Sequence, residues 1–270
     1  MISSLQKLDW DKLLNYLSKY LYSEKAKEEV KSFYPPFDFK KANLLQKETQ
    51  FISELFKNKI EFSFPELNSI EKLFLKQKKR GFFLVAEIIR FKPWFTALKT
   101  ISPYLTNSPF FKIKELFDEI AFLEERLEEI VDIKNATIKD TASFQLYIIR
   151  KRLKELKEIL WKKLEFIKEK LHKKGYLREP IITQRAERYV LPVKIEYKGK
   201  VKGILHEVSS SGATAFIEPV EIISLTNDLE ELKWQEEREI VKILRYLSEE
   251  FGNFYRKYIS FCPLSNNRFS

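Results

Sequence analysis

Apolar residues recur at helical spacing along most of the chain, and the places where that period breaks divide it. Leu5, Leu8, Leu13, Leu17, Tyr20 and Leu21 line one face of a stretch running to Lys31, and Pro35 and Pro36 forbid its continuation, giving two helices and a stop. Asp38 can cap a further helix carrying Ala42, Leu45, Thr49, Ile52 and Phe56. Beyond that helix, Pro65, Pro93, Pro103 and Pro109 punctuate the chain into short helical pieces. Residues 1–113 thus read as a helical core, in which the many Phe residues, set at helical spacing, serve as filling and not as a base-stacking platform. KQKKR, Lys76 to Arg80, closed by Gly81, reads as a solvated helix end whose cations complement the C-terminal dipole; a phosphate contact is the sharper alternative.

The second half has another texture. Leu146, Ile149, Leu153, Leu156, Leu160, Leu164, Ile167 and Leu171 fall in alternating steps of three and four, a coiled-coil seam on one long rising helix within 114–174. Leu225, Leu229, Leu232, Ile240, Ile243, Leu247, Phe251, Phe254 and Tyr258 repeat the pattern over 223–258, with Glu236 in one polar slot. Two such helices, each about 35 residues or roughly 50 Å long, should pair antiparallel into an extended arm. Between them, over 175–222, the helical period vanishes and four of the six glycines appear: Gly175, Gly199, Gly203 and Gly212. Arg188 to Tyr197 reads as a strand turning at Lys198 and Gly199, Lys200 to Val208 as its return, and Ser209 to Gly212 as a second turn into ATAFIEP, which Pro219 ends. The expected fold is therefore mainly α: a helical core, an antiparallel two-helix arm with a small antiparallel β insertion at its tip, and an irregular tail over 259–270.

Composition sharpens this reading. One cysteine, Cys262, excludes an intramolecular disulfide framework and a cysteine-built zinc site, so a reducing, cytoplasmic setting is expected. The N-terminus carries charges throughout, and no segment reaches about 18 consecutive apolar residues, so neither a signal peptide nor a membrane partner is expected. The single Gly-Lys pair, Gly199 and Lys200, lacks the spacing and the hydroxyl of a phosphate-binding loop. His206 near Ser209, Ser210 and Ser211 lacks a nucleophile elbow and a third orienting group, and His172 stands apart, so no catalytic, cofactor or metal residue is expected.

The net charge of +10 favours a polyanionic partner, and it is concentrated. Residues 150–174 hold eleven Lys and Arg against four acids, whereas 223–258 is slightly acidic. Opposite charge supports helix pairing; the surplus, continued by Arg185, Arg188, Lys194, Lys198, Lys200 and Lys202 on the insertion, also suits tracking of a nucleic-acid backbone. Ser209, Ser210 and Ser211 read either as a locally bonded turn or as further phosphate donors.

The run RAERYVLPVKIEYKGKVKGILHEVSSSGATAFIEPVEIISLTNDLEEL resembles the clamp and adjoining lever of the MutS-like family, in its type-two endonuclease branch. LQKLDWDKLLNYLSKYL and VDIKNATIKDTASFQLYIIRKRLKELK are also similar to that branch's N-terminal region, so the likeness reaches to about residue 258. It labels 114–174 the ascending lever, 175–222 the clamp and 223–258 the descending lever. It implies a homodimer that closes clamps around DNA, preferring branched structures, and is linked to DNA repair and the suppression of recombination; some members act on stalled ribosomes. Relatives continue into an ATPase domain using ATP and magnesium and a small nuclease domain, whereas this sequence ends at Ser270, as a truncated, split or partial gene product would. Asn135 stands where relatives typically carry glycine, a change a turn can accept. The expected function is non-sequence-specific DNA binding without catalysis in this chain; a ribosome- or RNA-associated module and a purely structural coiled coil are the alternatives.

Overall fold

The computed structural model describes residues 9–21, 24–34, 38–58, 67–106 and 108–261. In order, the elements are α1 Trp10–Ser18, α2 Glu24–Lys31, α3 Phe39–Lys57, α4 Leu67–Arg80, α5 Val85–Ile89, α6 Lys92–Leu105, α7 Phe111–Ile130, β1 Val131–Asp132, β2 Thr137–Ile138, α8 Phe144–Lys173, β3 Thr183–Arg185, β4 Arg188–Lys194, β5 Gly203–Val208, β6 Thr214–Pro219 and α9 Ile223–Phe261. The protein is mainly α with a small antiparallel β part, as expected. Two units are distinguished, Met1–Lys139 with Lys242–Ser270 and Asp140–Val241, and the division falls inside α9.

In the first unit, Asp38 caps α3 by accepting the Lys40 N–H at 2.9 Å. Phe83, Phe91, Phe95 and Phe251 are buried, and edge-to-face rings of Phe74, Phe83, Phe91 and Phe251 knit the core together, with Tyr255 stacked on Phe74 at 3.9 Å. These phenylalanines are core filling; Phe39 and Phe56 are exposed. The KQKKR segment ends α4, where Gly81 at φ +91° donates its N–H to the Gln77 carbonyl. Pro103 lies inside α6 near its end and does not stop the helix there. Leu5, Leu8, Pro35, Pro36, Pro65 and Cys262 lie outside the described residues, and 259–261 continue α9 instead of starting an irregular tail.

Three expectations require correction. First, 114–174 is not one rising helix: α7 ends at Ile130, a two-stranded ribbon and a single 3-10 turn intervene, and α8 starts at Phe144. The ribbon turns where the Asp132 carboxylate accepts the N–H groups of Lys134 and Asn135 and the Asn135 side-chain amide at 2.7 Å, which holds Asp132 below its usual pKa. Asn135 thus suits the turn, although the left-handed residue is Ala136 at φ 52°.

Second, Arg188–Tyr197 and Lys200–Val208 do not form a hairpin. The sheet order is β3-β4-β6-β5, so β6 separates β4 from β5 and pairs antiparallel with both. Lys194 pairs with Thr214 at the start of β6 and Gly203 with Pro219 at its end, so the link between β4 and β5 must travel the sheet's length, part of it as a 3-10 helix over Ile195–Lys200. The reason lies in burial: Val190, Leu191, Pro192 and Val193 are all buried, which demands a central strand, whereas β5 is exposed on both faces and belongs at an edge.

Third, the strand β3 is absent from the sequence reading. It joins β4 through Ala186 and Glu187, both at positive φ (48° and 64°), a two-residue turn of the primed type without the Asn-Gly signature that announces one.

The second unit has one apolar core. Ile149, Leu153, Leu160, Leu164, Ile167 and Leu171 of α8 join Leu191 and Val193 of β4, Ala215 and Ile217 of β6, and Leu229 of α9. The seam of α8 is therefore shared between the sheet and α9. Ser143 caps α8 by accepting the Leu146 N–H and also donates to Glu239. The polar slot at Glu236 receives Arg150 Nε at 2.7 Å, and Arg150 also meets Asp140. Burial works against the Arg150 charge, but these hydrogen bonds outweigh it and hold the guanidinium above its ordinary pKa.

Substitutions at two points of this packing should be costly. A Cβ at Gly203 would lie 2.2 Å from the Glu218 carbonyl oxygen, a backbone atom that cannot step aside, whereas nothing stands within 4 Å of one at Gly199. Gly203→Ala should cost about 1–3 kcal/mol and Gly199→Ala little, measured by urea denaturation. In the same assay Glu236→Ala should cost about 1–3 kcal/mol by taking from the part-buried Arg150 one of its two carboxylate partners, while Arg150→Met with Glu236→Leu should restore most of it.

Candidate nucleic-acid interface

The nine residues expected to meet phosphate differ in what already holds them. Arg185 and Arg188 are held by acids. Arg185 on β3 lies over the Phe216 ring, 4.2 Å from its centroid, and its Nε reaches Glu207 of β5 at 2.7 Å, so it spans the sheet's face. Arg188 donates to Glu230 at 3.0 Å and to the Asn227 side-chain oxygen at 2.8 Å, and stands 3.6 Å from Glu218. Glu218 is 1% exposed. It also accepts from Thr226 Oγ1 at 2.5 Å and from His206 Nε2 at 2.8 Å, where the ring must present its N–H because a carboxylate offers no proton. His206 is thereby tied to Glu218. Lys194 lies 6.0 Å from the Tyr197 ring centroid, a weak cation–π contact.

The serine run also divides. Ser209 Oγ accepts the Thr214 N–H at 3.1 Å and the Ser209 carbonyl accepts the Gly212 N–H, with Gly212 at φ 70° closing the turn. Ser209 is thus a turn residue, and Ser210 and Ser211 are exposed beside it.

Lys198, Lys200 and Lys202 remain. All three are exposed and without an ion pair among the described residues. They lie on the link that crosses between β4 and β5, where Tyr197 and Val201, four residues apart, pack against the core and leave the lysines between and beside them outside. Tyr197 is fixed by stacking on Tyr176 at 4.6 Å. On α8 and its C-cap Lys174, Arg150 and Lys168 are drawn into ion pairs, the latter with Glu165, while the other nine Lys and Arg of 150–174 are exposed. The sequence reading places no aromatic residue at such a surface, yet Trp161 stands exposed among these cations. The signal lies in its position beside Leu160 and off the seam. Among the described residues no helix is long and apolar enough to cross a membrane.

No family model matches the chain. Among curated proteins it is 30% identical over 249 residues to the endonuclease MutS2 of Alkaliphilus oremlandii, covering 89% of this chain and 31% of that protein. It is 31% identical over 260 residues to that of Clostridium novyi, covering 91% and 32%, and 32% identical over 260 residues to that of Caldanaerobacter subterraneus, covering 92% and 32%. The chain spans about one third of the length of these relatives. Likeness at this level along nine-tenths of its own length makes the chain a relative of the endonuclease MutS2 proteins.

Proposed function

We propose that this chain binds DNA through its phosphates, without reading sequence, using the lysines of the link between β4 and β5 together with the exposed cations of α8. One observation carries the reading. Lys198, Lys200 and Lys202 are concentrated on one short link, exposed and not neutralised by acids among the described residues, where a structural role would have supplied partners such as those that hold Arg185 and Arg188. Point charges on long flexible stems suit a backbone ligand, whose phosphates repeat regularly and whose bases need not be touched. The kinship with endonuclease MutS2 supports DNA over other polyanions. Clamping by two subunits and a preference for branched DNA belong to the same proposal, and the preference would show in competition among branched DNA, linear duplex and structured RNA.

Salt dependence tests it. Neutralising each phosphate releases counterions, so log affinity for duplex DNA should fall linearly with log salt, by about 0.9 per phosphate. Lys198→Gln, Lys200→Gln and Lys202→Gln combined should reduce that slope by about 2–3, measured by fluorescence anisotropy; an unchanged slope would remove these lysines from the interface. Arg188→Ala should instead lower stability by about 1–3 kcal/mol, seen in denaturation, because it leaves Glu230 short of a donor and the buried Glu218 without its counter-charge.

A further inference from the structure

We infer that a cleft between α8 and the start of β4 receives an unpaired base of a bound nucleic-acid strand, a reading that rests on the proposed DNA binding and adds a contact to something other than phosphate. The cleft has a volume of about 450 Å³ and is lined by Lys157, Glu158, Leu160, Trp161, Lys162 and Tyr189. Its size lies within the range of small-molecule clefts.

The position of Trp161 is the starting point. Leu160 and Leu164 turn into the core, and one helical step of about 100° carries Trp161 off that seam to the surface, where it is 49% exposed. A large ring left half in water on a solvated helix face does not contribute its full burial to stability. It is nonetheless held in place. Tyr189, packed partly against the core, meets it edge to face at 6.3 Å between centroids and an interplanar angle of 80°. An edge-to-face pair leaves at least one indole face uncovered by its partner, and such a face is what a base stacks on.

Charge selects the occupant. Lys157 and Lys162 are exposed on either side of Trp161 in the same helix, where they can meet a strand's phosphates when one of its bases turns inward. Glu158, also on the lining, repels a phosphate from the cleft itself while offering an acceptor to an exocyclic amino group. Two cations, a carboxylate and two aromatic rings on one lining therefore suit a base whose phosphates meet the lysines, and do not suit a free anion. A base still paired and stacked in duplex cannot enter, so the contact favours single-stranded, bulged or branch-point nucleotides.

The test uses the 270-residue chain and two duplexes that differ by one bulged 2-aminopurine nucleotide. Binding of the bulged DNA should quench the 2-aminopurine fluorescence, as stacking on an indole does, and should be tighter than binding of the paired duplex. Trp161→Ala should abolish the quench and remove about tenfold of the preference for the bulge, and Trp161→Phe should keep most of both. Thermal melting of each variant checks the fold, which a half-exposed side chain should affect little. Equal binding of the two DNAs, or a quench that survives Trp161→Ala, would overturn the inference and leave phosphate binding standing. Failure to bind either DNA would overturn both.

Discussion

A carboxylate removed from water must be met by donors, and the sheet of the second unit is organised around one such group. Glu218, on the central strand β6, is almost fully buried, and it is met from three other elements: His206 of β5 and Thr226 of α9 hydrogen-bond it, and the Arg188 guanidinium of β4 stands 3.6 Å away as its counter-charge. Losing any one leaves part of the charge unsatisfied in a medium where that costs several times as much as at the surface. The requirement ties the edge strand, a central strand and the first turn of the long helix to one point. Apolar packing alone would allow these elements to slide, because burial is indifferent to small displacements that preserve area, whereas a hydrogen-bonded carboxylate is not.

That constraint also explains why the cations of this region do different work. Arg188 cannot serve an external phosphate without leaving Glu218 and Glu230, and Arg185 is laid across Phe216 towards Glu207. Arginine suits both tasks, since its planar guanidinium stacks on a ring and holds several acceptors in fixed geometry. The lysines are the groups left in solvent. A sum of charges over the sequence treats all of them alike, yet the field available to a partner comes from those that the fold has not already neutralised.

Much of the architecture is readable in the sequence because helical period survives in the chain as a simple count. The α8 seam from Leu146 to Leu171 is buried as its spacing implies, with Leu156 only partly so, and the polar slot at Glu236 is filled by Arg150. Strand order is not readable, because pairing is set by contacts remote in sequence. Lys198 and Gly199 look like a hairpin turn but lie on a crossing link, while Ala186 and Glu187 form a turn without carrying its usual residues. The interruption before α8 escapes the pattern because two residues per strand are too few to show alternation. For the candidate site, the residue types are readable but their partners are not: nothing along the chain says that Arg188 faces Asn227 and Glu230, about forty positions on. The same holds for Trp161, whose surroundings depend on where Tyr189 is brought.

The edge strand β5 poses a separate problem, since its Ile204, Leu205 and Val208 are exposed and an open edge invites pairing with another chain. Its local structure opposes this. The register shifts between Leu205 and Glu207, so His206 is an extra residue that bends the strand and interrupts the regular row of edge donors and acceptors. Lys202 stands exposed at one end and Glu207, held by Arg185, near the other. The bulge has a second effect, because it is the bulged His206 whose ring reaches Glu218. One irregularity therefore both completes the buried network and spoils the edge as a template, so any change that straightened β5 would free the edge and strip Glu218 of a donor together.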